Sequence, residues 1–261
     1  MKTHPVLKEG SIYAIIVAAG RSSRMGSRLL GNNKVYADIG GKPAIIYSIE
    51  KLVRAVIGLK GLIIVASHDE IDFCGKVIKK TVKVLYKEGF DLFIEVVPGG
   101  GERFESVVNG LRALHEKGCG KSDIVFIHDG ARPNFPQNKI NVMLSTLMAK
   151  NPGMKRTEGV TLALGSIDTL CRAGRGFEIQ GYEERAEIWR VQTPQLFRYE
   201  TLYGCALKVL ERAENEEKVK FTDETSLLFS FNKKCVIVEG SASNIKITSP
   251  DDLDYIRGLM K

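Results

Sequence analysis

The amino-acid sequence predicts an α/β fold in which helices cover a mostly parallel sheet. Short apolar runs alternate with segments whose apolar residues recur at helical spacing, which is the pattern of strands joined by crossover helices. Clusters of glycine and charged residues follow several of these runs, where parallel strands end and where ligands bind in such sheets. The predicted architecture is a Rossmann-like three-layer fold with a twisted, mostly parallel sheet and a projecting β-arm.

The strands and helices follow from the spacing of apolar residues. Strands are expected at residues 12–17, 62–66, 92–97, 124–128, 160–164 and 235–239. Apolar residues at helical spacing predict helices over about 45–56 and 107–114. A last helix is expected after Ser249, which can cap it, with Pro250 at its first position and Asp251 and Asp252 complementing its dipole.

One segment interrupts this alternation. Residues 166–189 are rich in Gly, Arg and Glu and carry turn signals at 173–176 and at Gly181, which predicts a hairpin arm rather than core. Because a long two-stranded arm is unstable alone, we expect it to pack against a second copy of the chain. The remaining organisation is an N-terminal extension, residues 1–10, and one domain, residues 11–261.

Composition limits the classes of partner. The chain has 261 residues, of which 44% are hydrophobic and 26% charged, as in an ordinary globular protein. The net charge of +7 suits a polyanion, but the basic residues are dispersed. Lys79, Lys80 and Lys83, for example, fit the solvent-exposed face of a helix. The sequence also has no stretch in which arginine and aromatic residues alternate, so no nucleic-acid partner is predicted. A nucleoside triphosphate and a sugar phosphate would explain the charge equally well.

The cysteines and the apolar segments bear on location. Five cysteines are widely spaced without a Cys-x-x-Cys, which argues against a disulfide framework and a zinc site and favours the reducing cytoplasm. No apolar run approaches the length of a membrane span, and the first ten residues have no signal-peptide core. No membrane partner is therefore expected.

A phosphate-binding loop is predicted directly after the first strand. Residues 18–26 read Ala-Ala-Gly-Arg-Ser-Ser-Arg-Met-Gly, so small residues let backbone N–H groups approach an oxyanion while Arg21 and Arg24 supply charge. The loop has neither the Gly-Lys-Ser/Thr ending of a P-loop nor the Gly-x-Gly-x-x-Gly of a dinucleotide site, which excludes a Rossmann dehydrogenase. An ordinary strand-to-helix turn with two solvated arginines is the alternative.

Seven residue blocks resemble, in order, those of the 2-C-methyl-D-erythritol 4-phosphate cytidylyltransferase family. They lie at residues 18–26, 34–36, 100–106, 128–133, 192–195, 222–224 and 244–248, and the resemblance extends over nearly the whole chain. The resemblance implies that a polyol-phosphate oxygen attacks the α-phosphorus of CTP, expelling pyrophosphate and forming a CDP-linked polyol. It also implies Mg²⁺ bridging the CTP phosphates.

The implied reaction needs charge stabilisation more than a general base. A phosphate monoester, with a second pKa of about 6, is already an ionised nucleophile at pH 7. What remains is in-line positioning and stabilisation of charge on the phosphorus and the leaving pyrophosphate. The resemblance assigns that catalytic role to Arg24 and Lys34. For Lys34 the alternative is an ordinary loop lysine beside Asn32 and Asn33.

The resemblance places the nucleotide between the first loop and the Gly-Gly-Glu-Arg turn. Backbone groups of small residues would read the edge of cytosine, and the Ser106 hydroxyl would add one hydrogen bond. Ser106 could instead be an early-helix serine with Arg103 at the helix start. The predicted nucleotide-binding residues are Ala18, Ala19, Gly20, Gly100, Gly101, Arg103, Ser106 and Asp129.

The resemblance implies that both chains of a homodimer bind the acceptor in a shared active site. The predicted acceptor-binding residues are Asp129, Arg132, Thr169, Arg185, Thr193, Thr222 and Lys246. Asp129 is also the candidate magnesium ligand, with a turn-capping aspartate as the alternative. Thr222 could instead be a helix N-cap. His128 is expected to be structural. Strand-like alternation places Asn244 and Lys246 on one face of their segment.

One segment departs from the family pattern. The family's methylerythritol enzymes usually carry Lys or Arg immediately before the Asp-Thr pair, where this chain has Ile167. An isoleucine there is closer to the pentitol-phosphate cytidylyltransferases, which make CDP-ribitol. The Ala-Ala-Gly opening and the blocks at 192–197 and 222–224 favour methylerythritol phosphate, which is the predicted acceptor. Ribitol 5-phosphate is the alternative, and a homologue that binds nucleotide without turnover is the third interpretation.

Overall fold

The chain folds around a central sheet with helices on both faces. A computed structural model describes residues 10–20, 33–150, 152–213 and 221–260. In this part of the chain the main sheet has seven strands. In spatial order they are β11 (Lys234–Glu239), β7 (Thr157–Gly165), β10 (Trp189–Arg198), β6 (Ile124–Asp129), β1 (Ile12–Ala18), β4 (Leu59–Ala66) and β5 (Phe93–Pro98). The class predicted from the sequence, α/β with a mostly parallel sheet, is confirmed.

The helices cover the two faces of this sheet. They are α1 (Ala44–Ala55), α2 (Ile71–Lys87), α3 (Arg103–Glu116), α4 (Ile140–Met148), α5 (Tyr199–Ala213), α6 (Glu224–Ser230) and α7 (Pro250–Leu259). Successive residues of β1 point to opposite faces, as the pleat of a strand requires. Ala14 and Ile16 therefore join the core under α1, α2, α4 and α7, while Ile15 joins the core under α3, α5 and α6. These are the three layers that the sequence predicts.

Strand β10 is the one strand of the main sheet that runs antiparallel to its neighbours in the described structure. It pairs with β6 on one side and with β7 on the other, and its register against β7 shifts between Gln192 and Gln195. The sequence did not predict this strand. Its first residue, Trp189, was assigned to the arm, whereas in the structure it pairs with Gly165 of β7.

The arm segment contains a two-stranded hairpin separate from the main sheet. Strands β8 (Cys171–Ala173) and β9 (Ile179–Tyr182) are antiparallel and pair only with each other among the described residues. Every residue of β8 is exposed, as are most residues of β9. The hairpin is thus confirmed, while its packing against a second chain stays a prediction. A further short ribbon joins β2 (Asp38–Ile39) to β3 (Lys42–Pro43).

The N-caps of two helices, α7 and α6, can be compared with the caps predicted from the sequence. Ser249 caps α7 and accepts a hydrogen bond from the Asp252 backbone in a reciprocal capping box, with Pro250 first in the helix, as expected. For α6 the cap is Asp223, whose side chain accepts from the Ser226 N–H. The interpretation of Thr222 as that cap is therefore wrong by one residue. Among the described helices, none has the length and apolar character needed to cross a membrane.

Candidate active site

A cleft with a volume of about 700 Å³ opens at the carboxyl ends of β1, β4, β5 and β6. Because these strands are parallel neighbours, the loops that follow them meet at one edge of the sheet. The predicted site residues that line the cleft are Ala18, Ala19, Gly20, Lys34, Gly100, Gly101, Arg103, Ser106, Asp129 and Lys246. Arg21 and Arg24 lie outside the described residues, as do residues 1–9 of the predicted extension.

Lys34 is held at the cleft by its neighbour Asn33. The buried Asn33 amide nitrogen donates to the carbonyl of Ala18, the last residue of β1, and to Glu70 Oε2 at 3.2 Å. Its Oδ1 accepts from the Val35 N–H at 3.3 Å and so caps the short 3₁₀ turn Lys34–Tyr36. This turn is therefore tied to the end of β1, which places Lys34 beside the first loop.

The turn between β5 and α3 lies tightly against the first loop. A Cβ on Gly99 would come within 2.4 Å of the Ala19 Cβ, so only glycine permits this approach. The buried Ser106 hydroxyl accepts from the Gly100 N–H at 3.1 Å and donates to the Glu102 carbonyl at 3.2 Å. Ser106 thus braces the turn that lines the cleft. Its predicted hydrogen bond to cytosine stays a prediction.

Asp129 is surrounded by three cationic side chains. Its carboxylate lies 2.9 Å from Lys246 Nζ, 3.3 Å from Arg103 Nη2 and 3.6 Å from Arg132 Nε. Burial alone would raise the pKa of Asp129, but Arg103, Lys246 and Arg132 together hold it well below its usual range. Asp129 is therefore ionised at neutral pH, and in the described structure its carboxylate orients cations rather than capping the turn after β6.

Glu224 is a site residue that the sequence reasoning missed. It is the first residue of α6, has 3% of its side chain exposed, and lies 2.6 Å from Arg103 Nη1. Burial raises the pKa of Glu224, while Arg103 acts in the opposite direction. The block 222–224 marked this segment as unusual, but nothing in the sequence said which partner its glutamate would contact.

A hydrogen-bond chain links β6, β10 and the following turn. The Asp129 N–H donates to Thr193 Oγ1 at 3.0 Å, and Thr193 Oγ1 lies 3.1 Å from His128 Nδ1. His128 Nε2 lies 3.1 Å from the Arg132 carbonyl, which can only accept, so Nε2 carries the proton and Nδ1 accepts from Thr193. Burial lowers the pKa of His128 to about 3. His128 is thus a neutral structural residue, as expected.

The segment that carries Lys246 lies outside the sheet. Asn244 is buried and its Nδ2 donates to Gln192 Oε1 at 3.2 Å and to the Thr193 carbonyl at 2.9 Å. The Ile247 N–H donates to the Ala131 carbonyl at 2.9 Å, and the Ile247 side chain is buried as well. This segment therefore docks on the start of β10 and the turn after β6, which holds Lys246 against Asp129.

The remaining predicted acceptor residues divide into two groups. Arg132 and Thr193 lie behind the cleft, where the Arg132 Nη1 donates to the Asn244 carbonyl at 2.8 Å. Thr169, Arg185 and Thr222 are exposed and do not line the cleft within one chain. Arg185 Nη1 donates to the Ile167 carbonyl at 3.1 Å. The acceptor roles of these residues stay predictions.

The described residues contain no preformed magnesium site. No group of three or more His, Cys, Asp or Glu side chains among them is arranged to hold a metal ion. Asp129, the predicted candidate, has both carboxylate oxygens paired with cations, so a metal ion would have to displace them. Asp129 therefore fits a direct magnesium ligand poorly.

Comparisons with known proteins agree on one family. The model of the 2-C-methyl-D-erythritol 4-phosphate cytidylyltransferase family matches residues 12–261. The protein of that name from Clostridium acetobutylicum is 37% identical over 252 residues, covering 95% of this chain and 96% of the relative. Its counterpart from Clostridium kluyveri is 36% identical over 255 residues, covering 96% of this chain and 97% of the relative.

Solved structures give the same result. The crystal structure of 4-diphosphocytidyl-2C-methyl-D-erythritol synthase from Anaerococcus prevotii aligns with a TM-score of 0.74 and 25% identity, covering 96% of each chain. That of 2-C-methyl-D-erythritol 4-phosphate cytidylyltransferase from Francisella tularensis aligns with a TM-score of 0.72 and 25% identity, covering 96% of this chain and 100% of that chain.

Proposed function

Because the chain belongs to the 2-C-methyl-D-erythritol 4-phosphate cytidylyltransferase family, we propose that it transfers CMP from CTP to 2-C-methyl-D-erythritol 4-phosphate. The products are pyrophosphate and CDP-methylerythritol, an intermediate of the non-mevalonate route to isoprenoids. The observation that carries the proposal is the convergence of Lys34, Arg103, Asp129 and Lys246 in one cleft with the two glycine-rich turns.

The reaction follows from the charges of this cleft. An oxygen of the acceptor phosphate attacks the α-phosphorus of CTP in line with the bond to the leaving pyrophosphate oxygen. The new P–O bond forms as that bond breaks, so no proton transfer is needed at the nucleophile. Lys34 and Arg24 stabilise the added negative charge on the α-phosphate, which is worth most in a site prepared in advance. The ties from Asn33 to the end of β1 keep Lys34 in place.

Two parts of the cleft divide the substrates between them. The turns at 18–20 and 99–101 bind the base, because their small residues bring backbone groups to the lining of the cleft. Lys246 contributes to the acceptor phosphate, and Asp129 keeps its ammonium group pointed into the cleft before substrate arrives. When bound with CTP, magnesium would neutralise charge on the triphosphate, and it would need few protein carboxylates.

The active protein is a homodimer in which the arm of one chain completes the cleft of the other. The arm exposes large apolar side chains: Ile167 is 79% exposed, Phe177 91% and Tyr182 65%. Exposed apolar groups concentrated on one projecting element favour a protein contact. A second copy would also bring Thr169 and Arg185 to a cleft that they do not line in their own chain.

The match over residues 12–261 supports a single domain at 11–261, and the dispersed cysteines favour the cytoplasm.

Ribitol 5-phosphate remains the second candidate acceptor. The observation in its favour is Ile167, an exposed isoleucine where the family pattern has a cation. Methylerythritol phosphate is favoured by the names of the relatives and by the match along the whole domain.

The deciding experiment measures pyrophosphate release from CTP with magnesium. Parallel reactions contain methylerythritol 4-phosphate, ribitol 5-phosphate or no acceptor. Release with the first acceptor alone supports the proposal. Pyrophosphate release with ribitol 5-phosphate alone would show that the acceptor is a pentitol phosphate. CTP binding without pyrophosphate release in any of the reactions would indicate a binding protein.

A further inference from the structure

The carboxylate of Glu105 accepts hydrogen bonds from the glycine-rich turn that lines the cleft. The Gly101 N–H donates to Glu105 Oε2 at 2.7 Å, and the Glu102 N–H donates to the same oxygen at 3.2 Å. Gly100 and Gly101 line the cleft, whereas Glu105, in the first turn of α3, is not among its lining residues. The Gly101 N–H is therefore turned away from the cleft.

The carbonyl of the same peptide takes the opposite direction. In a trans peptide the C=O and the N–H point to opposite sides, so the Gly100 carbonyl is turned toward the cleft. No backbone N–H of the described residues donates a hydrogen bond to this oxygen. A buried or half-buried carbonyl without a partner is a strong acceptor for a ligand.

The backbone at this peptide is conformationally permissive. Both residues that flank the peptide are glycines, which adopt positive and negative φ with similar ease, so the peptide can turn over at little cost. Side chains would hinder the arrangement, because a Cβ on Gly100 would lie 2.3 Å from the Glu105 Cβ. The hydrogen bond from the Gly101 N–H to Glu105 Oε2 favours one orientation of the peptide over the other.

We propose that Glu105 is a positioning residue that determines the choice between cytosine and uracil, through the Gly100–Gly101 peptide. The proposal rests on the proposed function, since it needs a pyrimidine nucleotide in this slot. Cytosine carries an amino donor at position 4, where uracil carries a carbonyl oxygen. The Gly100 carbonyl accepts a hydrogen bond from the 4-amino group of cytosine and repels the 4-carbonyl oxygen of uracil. If the peptide turned over, the Gly101 N–H would face the base instead and could donate to that uracil oxygen.

The test compares binding of CTP and of UTP, each with magnesium, by titration calorimetry without acceptor. The proteins are the full-length wild type, Glu105→Ala, Glu105→Gln and the control Glu116→Ala, which removes the same charge from the exposed end of α3. We expect Glu105→Ala to lower the CTP/UTP affinity ratio about tenfold or more, the effect of losing a hydrogen bond to a charged group. Glu105→Gln should give an intermediate ratio, because a neutral acceptor is weaker. The control should keep the wild-type ratio.

A wild-type ratio in folded Glu105→Ala would overturn the proposal, as would equal affinity of the wild type for CTP and UTP. If circular dichroism shows that Glu105→Ala does not fold, Glu105→Gln decides: an intermediate ratio supports the proposal and an unchanged one overturns it. A purely structural role would lower the melting temperature without moving the ratio. A wild type that selects CTP but releases no pyrophosphate with methylerythritol 4-phosphate contradicts the proposed function and leaves the inference about Glu105 intact.

Discussion

The guanidinium of Arg103 forms a two-point ion pair with the carboxylate of Glu224, a residue 121 positions away in the chain. Nη1 lies 2.6 Å from Oε1 and Nη2 lies 3.0 Å from Oε2. The Nε of the same guanidinium donates to Asp129 Oδ1 at 3.3 Å. Arg103, at the start of α3, is thus fixed between α6 and the end of β6, so that α6 helps to support the turn between β5 and α3.

The first prediction is that Glu224→Ala destabilises the protein and weakens CTP binding together. Removing the carboxylate leaves the Arg103 charge with one partner instead of two, and breaking a buried ion pair costs about 3 kcal/mol in the free energy of unfolding. Glu224→Gln keeps the shape and one acceptor, so its loss should be smaller. Urea unfolding and the KM for CTP measure the two effects.

The matched control is Glu200→Ala. Glu200 is 57% exposed and lies 3.9 Å from Lys121, which is 86% exposed, so its removal should change the free energy of unfolding by less than about 1 kcal/mol. Equal losses in Glu224→Ala and in the control would show that the Arg103–Glu224 pair does not support the site.

The second prediction concerns the pH dependence of stability and its origin in His128. Burial lowers the pKa of His128 to about 3 in the folded protein, against about 6.5 in the unfolded chain. Below pH 6.5 the unfolded chain binds a proton that the folded protein does not, so stability falls as the pH falls. Between pH 7 and pH 5 this amounts to about 2 kcal/mol. Unfolding in urea at each pH measures it.

His128→Asn removes the titrating group from the chain Thr193–His128–Arg132. The variant is expected to be less stable at pH 7, but its stability should change less between pH 7 and pH 5 than that of the wild type. Unperturbed carboxylates titrate below that interval. Glu70 and Glu224, whose pKa values burial raises, are present in both proteins, so they do not affect the comparison. If the free energy of unfolding changed equally with pH in the wild type and in His128→Asn, His128 would not be the cause of the pH dependence.

The sequence predicted the fold from apolar spacing and missed elements that lack such spacing. Strand β10 starts with Trp, Arg, Val, Gln, Thr and Pro, which give neither a continuous apolar run nor a regular alternation. It is buried from Gln192 to Phe197 because β6 and β7 enclose it, and that enclosure is a tertiary effect. The start of β10 was therefore attributed to the arm.

The site was predictable where it follows the ends of parallel strands. Ala18, Gly100 and Asp129 follow or end β1, β5 and β6, and strand order then brings them together. Glu224 was not predictable in this way, because its contact with Arg103 depends on where α6 packs. The segment with Lys246 was expected to alternate like a strand, but hydrogen bonds from Asn244 and Ile247 dock it outside the sheet.

The third prediction is that Lys34→Ala abolishes most turnover without unfolding the protein. Loss of one electrostatic contact to the transition state typically lowers kcat by about 10²–10³. The control is Lys60→Ala, which removes an equal charge from an exposed position near the start of β4. Arg24→Ala is expected to behave like Lys34→Ala. Pyrophosphate release and circular dichroism provide the two measurements, and near-normal kcat in Lys34→Ala would remove it from the transition state.

The fourth prediction concerns the arm. Deleting residues 172–181 removes both strands of the hairpin except Cys171 and Tyr182, together with the exposed Phe177. We expect a monomer by light scattering and a raised KM for the acceptor, because the cleft loses the contribution of the second chain. A deletion variant that stays dimeric would contradict the proposed role of the arm.

The fifth prediction separates acceptor binding from dimer formation. Arg185 lies beyond the hairpin, is exposed, and donates to the Ile167 carbonyl, so Arg185→Gln should leave the dimer intact. If it holds the acceptor phosphate in the partner's cleft, the KM for methylerythritol 4-phosphate should rise at least about tenfold, the effect of losing a charge-assisted hydrogen bond, while the KM for CTP stays within about twofold. Arg172→Gln, which breaks the exposed pair with Glu183, is the control. Equal increases in both KM values would show that Arg185 does not belong to the acceptor site.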